Sequence, residues 1–236
     1  LWRPIRALPS FDPRIRIIRA MDYAAARHNM VESQLRTNKV IDERLIEAMA
    51  RVPREAFLPD RLKAAAYVDE DVPLGGGRFL VEPMVFARLV QAVGVAPGSR
   101  VLLVGVASGY AAAVLCAMGA GVLALEAHSD VAANTKIALS LNRVGAAVVE
   151  APFDAGWPAG APYDAILFDG AVGALPDCYA GQVAEDGRIA AVVAAPGEPG
   201  RATVWRKFGG TLTARVVFDA TTPVLPGLAR EPGFSL

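Results

Sequence analysis

Cysteine and histidine are scarce in this chain, at two each in 236 residues. Cys116 and Cys178 sit in apolar contexts, so the sequence predicts two buried free thiols in a reducing compartment, neither a disulfide nor a metal pair. His28 falls in an expected helix and His128 just past an expected strand, which leaves no basis for a His-rich metal site. Neither sign of charge dominates: 24 Lys and Arg balance 24 Asp and Glu. That balance gives no general drive toward nucleic acid or membrane. No apolar run approaches the roughly 18 residues of a membrane span. No Gly-Lys-Ser/Thr is present, so phosphate cradling is unsupported. Internal repeats and low-complexity segments are also missing. What is there is a chain 53% hydrophobic, long enough for one well-buried, soluble domain with accessory segments.

Residues 1–20 differ from the rest, with five arginines facing the single acid Asp12 and three prolines interrupting the segment. They are expected to be a poorly ordered extension, with Met21 as the more natural start. From Met21 to Leu62 the spacing is helical, with Tyr23, Ala24, Val31 and Leu35 on one stripe. Asp42 is placed to cap a second helix, which Pro53 ends. Gly75-Gly76-Gly77 marks a turn, and a helix begins near Pro83. Strands are expected at 101–105, 122–126, 147–150, 164–168 and 188–194. Helices are expected at 109–118, 129–143 and 176–185, with Ser129 capping the second. Ala202–Phe208 and Thr211–Phe218 flank Gly209-Gly210 as an antiparallel hairpin on the sheet edge. The fold class is α/β: a Rossmann-like, mostly parallel sheet with helices on both faces and an N-terminal helical cap. Residues 21–236 then form one domain, with cap and substrate loop at 21–100 and a cofactor-binding core at 101–236. Right-handed crossovers place a ligand at the C-terminal strand ends, where Gly105, Glu126, Pro152 and Asp169 fall.

The stretch Val101–Tyr110 carries most of the chemistry. An apolar run feeds the small-residue turn Gly105-Val106-Ala107-Ser108-Gly109, a helix follows, and Glu126 stands about 20 residues on. Small residues let a backbone approach a nucleotide-like ligand, and the acid accepts hydrogen bonds from ribose hydroxyls. Tyr110 occupies the third small position of a dinucleotide fingerprint, which argues against a dinucleotide. An ordinary strand–turn–helix would share the turn, and Glu126 would then be a surface carboxylate. The acid at this spacing favours the cofactor reading.

The chain resembles the protein-L-isoaspartate O-methyltransferases, from about Met30 onward. Met30–Arg36 is similar to the family's opening helix, and Val52-Pro53-Arg54-Glu55-Ala56-Phe57-Leu58-Pro59 to its V-P-R-x-x-F-V-P segment. Ala66-Tyr67, Pro73-Leu74, the Gly105–Tyr110 turn, Glu126, Gly156-Trp157-Pro158 and Tyr163–Ile166 continue the series in order. The resemblance implies S-adenosylmethionine as cofactor and, as partner, a damaged protein or peptide whose isoaspartyl carboxylate is methylated in the cytoplasm. Gly105, Val106, Ala107, Ser108, Gly109, Tyr110 and Glu126 are the implied cofactor residues. Arg78, Phe79 and Val81 are the implied substrate residues.

The substrate loop departs from the family pattern G-x-G-Q-T-I-S-Q-P. Val81 stands where the family has serine, Phe79 where it has threonine, Arg78 and Glu82 where it has glutamine. No catalytic residue is therefore named. Arg78 is placed either to bind an anion or to sit in solvent. On the cofactor side, Leu103 replaces the family acid of the first motif. Ala151-Pro152 replaces a Gly-Asp pair, with Asp154 nearby. Three readings follow: an active isoaspartyl methyltransferase, a non-catalytic relative that keeps the fold, and a methyltransferase whose acceptor is apolar.

Overall fold

A computed structural model describes residues 21–195 and 198–229. The expected extension at 1–20 lies outside the described residues. The cap begins with α1 (Tyr23–Asn29), continues through a wide turn at Met30–Leu35, and reaches α2 (Glu43–Arg51). Val31 and Leu35 are buried as the stripe predicts, but Ala24 faces solvent. The Asp42 carboxylate accepts the N–H groups of Arg44 and Leu45 at 3.0 and 3.5 Å, as expected of an N-cap.

The glycine turn joins two short antiparallel strands, β1 (Val72–Gly75) and β2 (Arg78–Leu80). Pro83 opens α3 (Pro83–Val93) at its first turn, where a missing N–H costs nothing. The core alternates β3 (Arg100–Val104), α4 (Tyr110–Ala117), β4 (Gly121–Glu126), α5 (Ser129–Leu141), β5 (Ala147–Glu150), β6 (Tyr163–Val172), α6 (Cys178–Gln182) and β7 (Val183–Val193). The hairpin β8 (Arg201–Phe208) and β9 (Thr211–Asp219) completes a seven-stranded sheet of order β5-β4-β3-β6-β7-β8-β9. Strands β3 to β7 run parallel and the last two antiparallel.

Alternate strand residues face opposite cores, as the pleat requires. Val101, Leu103 and Leu167 pack under α2, α3 and α4, while Leu102, Val104, Ile166 and Phe168 meet Phe153, Tyr179, Leu225 and Leu228. Helices cover both faces, though the second carries only short α6. The rest of that face is covered by the 151–161 segment and a C-terminal strap, 220–229.

Four local expectations change. The helix expected at 176–185 spans only Cys178–Gln182, because β7 starts at Val183 and pairs there with Tyr163. His128, not Ser129, is the capping residue of α5, and no side chain bonds there. Asp169 lies inside β6, not at its end, because the strand bulges between Leu167 and Ala171 and runs on to Val172. Both cysteines are unpaired, as expected, but only partly buried. Among the described residues, no helix is long and apolar enough to cross a membrane.

Candidate active site

The bend after β3 is made by glycine dihedrals. Gly105 and Gly109 both have φ of +88°, in the left-handed region that a Cβ disfavours. Ala107 between them stays outside that region, so its methyl is tolerated. The Ser108 hydroxyl accepts the Tyr110 N–H at 3.3 Å, and the Thr135 hydroxyl donates to the Val106 carbonyl at 3.2 Å, tying the bend to α5. Tyr110 itself points into the core, its ring edge-on to Phe57 and 4.9 Å from the Arg54 guanidinium.

Glu126 ends β4 beside this bend, fully buried. Its Oε1 accepts the N–H groups of Ala127 and His128 at 3.0 and 3.2 Å, and lies 3.2 Å from His128 Nδ1. Its Oε2 accepts Nη2 of Arg78 at 2.7 Å. The pair is dry, with side chains 2% and 0% exposed for Arg78 and Glu126. The guanidinium lies 5.3 Å from the centre of the Phe153 ring. Its Nε and Nη1 have no partner among the described residues. Burying two charges costs several kcal/mol per ion, offset here by one ion pair and the two backbone N–H groups on the acid.

Leu225 of the strap lies over the bend. A Cβ added to Gly105 would come within 2.7 Å of Leu225 Cδ2, and one added to Gly170 would meet the same atom at 2.7 Å. The space beside both glycines is thus filled by leucine methyls.

Two cavities flank this closed cleft. One of about 660 Å³ runs between Phe57–Pro59, Gly75-Gly76, Ala107-Ser108 and α5, with Arg78 in its wall. The other, about 260 Å³, is lined by Ala127, His128, Pro152, Phe153, Asp154 and the strap residues Pro226–Leu228. Phe79 is half-buried and Val81 buried, and neither lines a cavity at the cleft. The Val81 carbonyl instead accepts an N–H of Arg54.

Burial raises the Asp169 and Glu82 carboxyls well above the ordinary carboxylate range. Burial pushes Asp169 up to about 7, against the pull of Arg78 and then Arg54. Burial, then the neighbouring Asp69 and Asp71, pushes Glu82 up to about 7. Glu82 therefore belongs to an acidic loop, and its N–H donates to Asp71 at 2.8 Å.

The residue types suit an adenosyl group: an open glycine bend and a carboxylate at the next strand end. The space does not, because Leu225 and Arg78 fill it in this conformation. The sequence left Arg78 either binding an anion or sitting in solvent; it is buried, and its anion is Glu126 of the same chain. Sequence reasoning missed Leu225, Phe153 and the buried Arg54. Only Arg54, inside the V-P-R segment, carried a signal.

The chain matches the family model for protein-L-isoaspartate(D-aspartate) O-methyltransferase over residues 26–218. It is 40% identical over 173 residues to a protein-L-isoaspartate O-methyltransferase of Methylorubrum populi, covering 73% of this chain and 82% of that one. It is 39% identical over 179 residues to protein-L-isoaspartate O-methyltransferase 1 of Rhodopseudomonas palustris, covering 75% and 72%. Among solved structures, a protein-L-isoaspartate O-methyltransferase superposes with a TM-score of 0.77 at 22% identity, over 86% of this chain and 67% of that one. A putative one from Plasmodium falciparum, in complex with S-adenosyl-L-homocysteine, gives 0.72 at 18% identity, over 87% and 99%.

Proposed function

The chain belongs to the protein-L-isoaspartate(D-aspartate) O-methyltransferase family, and from that premise we propose that it methylates the side-chain carboxylate of isoaspartyl residues in damaged proteins, with S-adenosylmethionine as methyl donor. The observation that carries this reading is the family match itself, which runs unbroken through cap, bend and sheet. The cofactor supplies an electrophilic methyl group when bound.

The chain's own part is to position and to exclude water. An aspartate-like carboxyl titrates near 4 and is already an ionised nucleophile at neutral pH, so no strong base is required. That requirement fits a loop with Val81 in the core and no hydroxyl at the family serine position. Gly75-Gly76 at the mouth of the larger cavity leaves room for a substrate backbone to approach. The same reading treats 21–236 as one domain, with 21–100 covering the cofactor-binding core at 101–236. It places the protein in the cytoplasm, which the two unpaired thiols support.

The test offers labelled S-adenosylmethionine with an isoaspartyl peptide and its aspartyl counterpart. Methyl ester on the isoaspartyl peptide above the control is expected; none above it sinks the proposal. A non-catalytic relative is the second reading, and the filled cleft over Gly105 favours it. Turnover by the pure protein defeats it. The apolar-acceptor reading loses its support, since Leu80 and Val81 are core residues.

A further inference from the structure

The cleft bounded by Gly105, Glu126 and Gly170 is closed by two parts of the chain far apart in sequence. Arg78 reaches it from β2, and Leu225 from the strap. The strap is pinned to β6 by a short set of backbone bonds: Leu225 N–H to the Ala171 carbonyl at 2.8 Å, Ala171 N–H to the Pro223 carbonyl at 2.9 Å, and Gly173 N–H to the Leu228 carbonyl at 2.7 Å. Leu225 also lies beyond the stretch that matches the family model, which ends at residue 218.

We propose that Arg78 and Leu225 form a two-part latch on the cofactor cleft, so that the adenosyl group enters only after the strap lifts and Arg78 leaves Glu126. This rests on the methyltransferase reading.

Three observations carry it. First, the acceptor that ribose hydroxyls need is the one Arg78 uses: Glu126 Oε2 holds the guanidinium, and Oε1 already has three neighbours. Guanidinium and ribose therefore compete for one oxygen. Second, the closed state is incomplete. Arg78 leaves Nε and Nη1 without a partner among the described residues although it is buried, so a position that satisfies them offsets the loss of Glu126. Third, there is somewhere to go. Arg78 already forms part of the wall of the 660 Å³ cavity, and its strand is joined to β1 through Gly75–Gly77, all at positive φ. The strap forms one side of the smaller cavity, so withdrawing both elements joins the two spaces across Glu126.

The experiment measures S-adenosylhomocysteine binding by calorimetry on the full chain, with Arg78→Gln, Leu225→Ala, their double variant and the volume-keeping Leu225→Met. Thermal melts establish that each is folded. Arg78→Gln and Leu225→Ala are each expected to bind at least tenfold more tightly than the wild type, the double variant more tightly still, and Leu225→Met within threefold of the wild type. Equal or weaker binding by the folded Arg78→Gln and Leu225→Ala variants, with a wild type that binds, overturns the latch and leaves the methyltransferase reading standing. Binding by none of the folded proteins overturns both. Should Leu225→Ala fail to fold, Arg78→Gln alone decides, because Glu126 keeps its two backbone donors.

Discussion

Among the described residues two arginines are buried, and they are held in opposite ways. Arg54, at the base of the cap, donates to the carbonyls of Ala66 and Val81 and stacks on Tyr110. Its partners are neutral, main-chain and local to the cap. Arg78, in the cleft, donates to one carboxylate from another element and leaves two nitrogens unmatched, against one, Nη1, for Arg54. A guanidinium bound to backbone carbonyls is a pin, since no ligand can replace those carbonyls without unfolding them. A guanidinium bound to a strand-end acid is exchangeable, since any ligand with hydroxyls can take its place. Burial is the same in both; the nature of the acceptor decides between structure and switch.

The strongest test of that contrast removes the pin. Arg54→Ala strands two buried carbonyls and opens a cavity, so a loss of about 4–5 kcal/mol is expected from denaturant midpoints at unchanged m. A loss below about 1 kcal/mol would show that the cap does not depend on it.

Asp169 lies in the field of both arginines, and its raised titration gives the next effect. Its folded value of about 7 exceeds the ordinary carboxylate value. The native state therefore keeps a proton that the unfolded chain releases. This contribution is fully present below about pH 4 and is lost as pH rises through 7, on the order of 3–4 kcal/mol. Stability curves from pH 4 to 8 are expected to fall more steeply for the wild type than for Asp169→Asn; parallel curves would refute it.

Smaller effects separate the members of the latch. Glu126→Gln strands the Arg78 charge and is expected to cost about 3 kcal/mol, whereas Arg78→Gln leaves the acid its backbone donors and costs about 1–2 kcal/mol. The reverse order, measured in one double-mutant cycle, would make Arg78 the structural partner. Least of all, His128→Ala is expected to change stability by under about 0.5 kcal/mol, because that ring is 45% exposed. A larger loss would show that the side chain, not the backbone, orients Glu126.

Local patterns made most of the architecture readable before any coordinates. Short apolar runs placed β5 to the residue and β3 and β4 within one; β3, buried along nearly its whole length, leaves a continuous apolar signature, whereas β5 is a half-exposed edge strand set off by the turns around it. Asp42 and Pro83 announced helix starts because capping depends on only a few neighbouring residues. Where pairing partners decide, the sequence was silent. Nothing around Asp169 says that β6 continues to Val172, since a remote Val224 lies against it there. The site divides the same way. The bend at Gly105 and Gly109 and a carboxylate at the end of β4 were legible from spacing, while the destination of Arg78 was not. An arginine in a glycine-rich loop looks solvated until the fold brings a carboxylate 48 positions later against it.

The strap meets the end of β6 through one isolated parallel bridge, Ala171 to Val224, and one further backbone bond, from Gly173 to Leu228. With so few backbone bonds, and held otherwise by the packing of Leu225 and Leu228, the strap is expected to open before the sheet as a whole gives way. Its amides thus keep time. In deuterated water, proton loss at Leu225 and Ala171 records how often the tail lets go, residue by residue and without any ligand present.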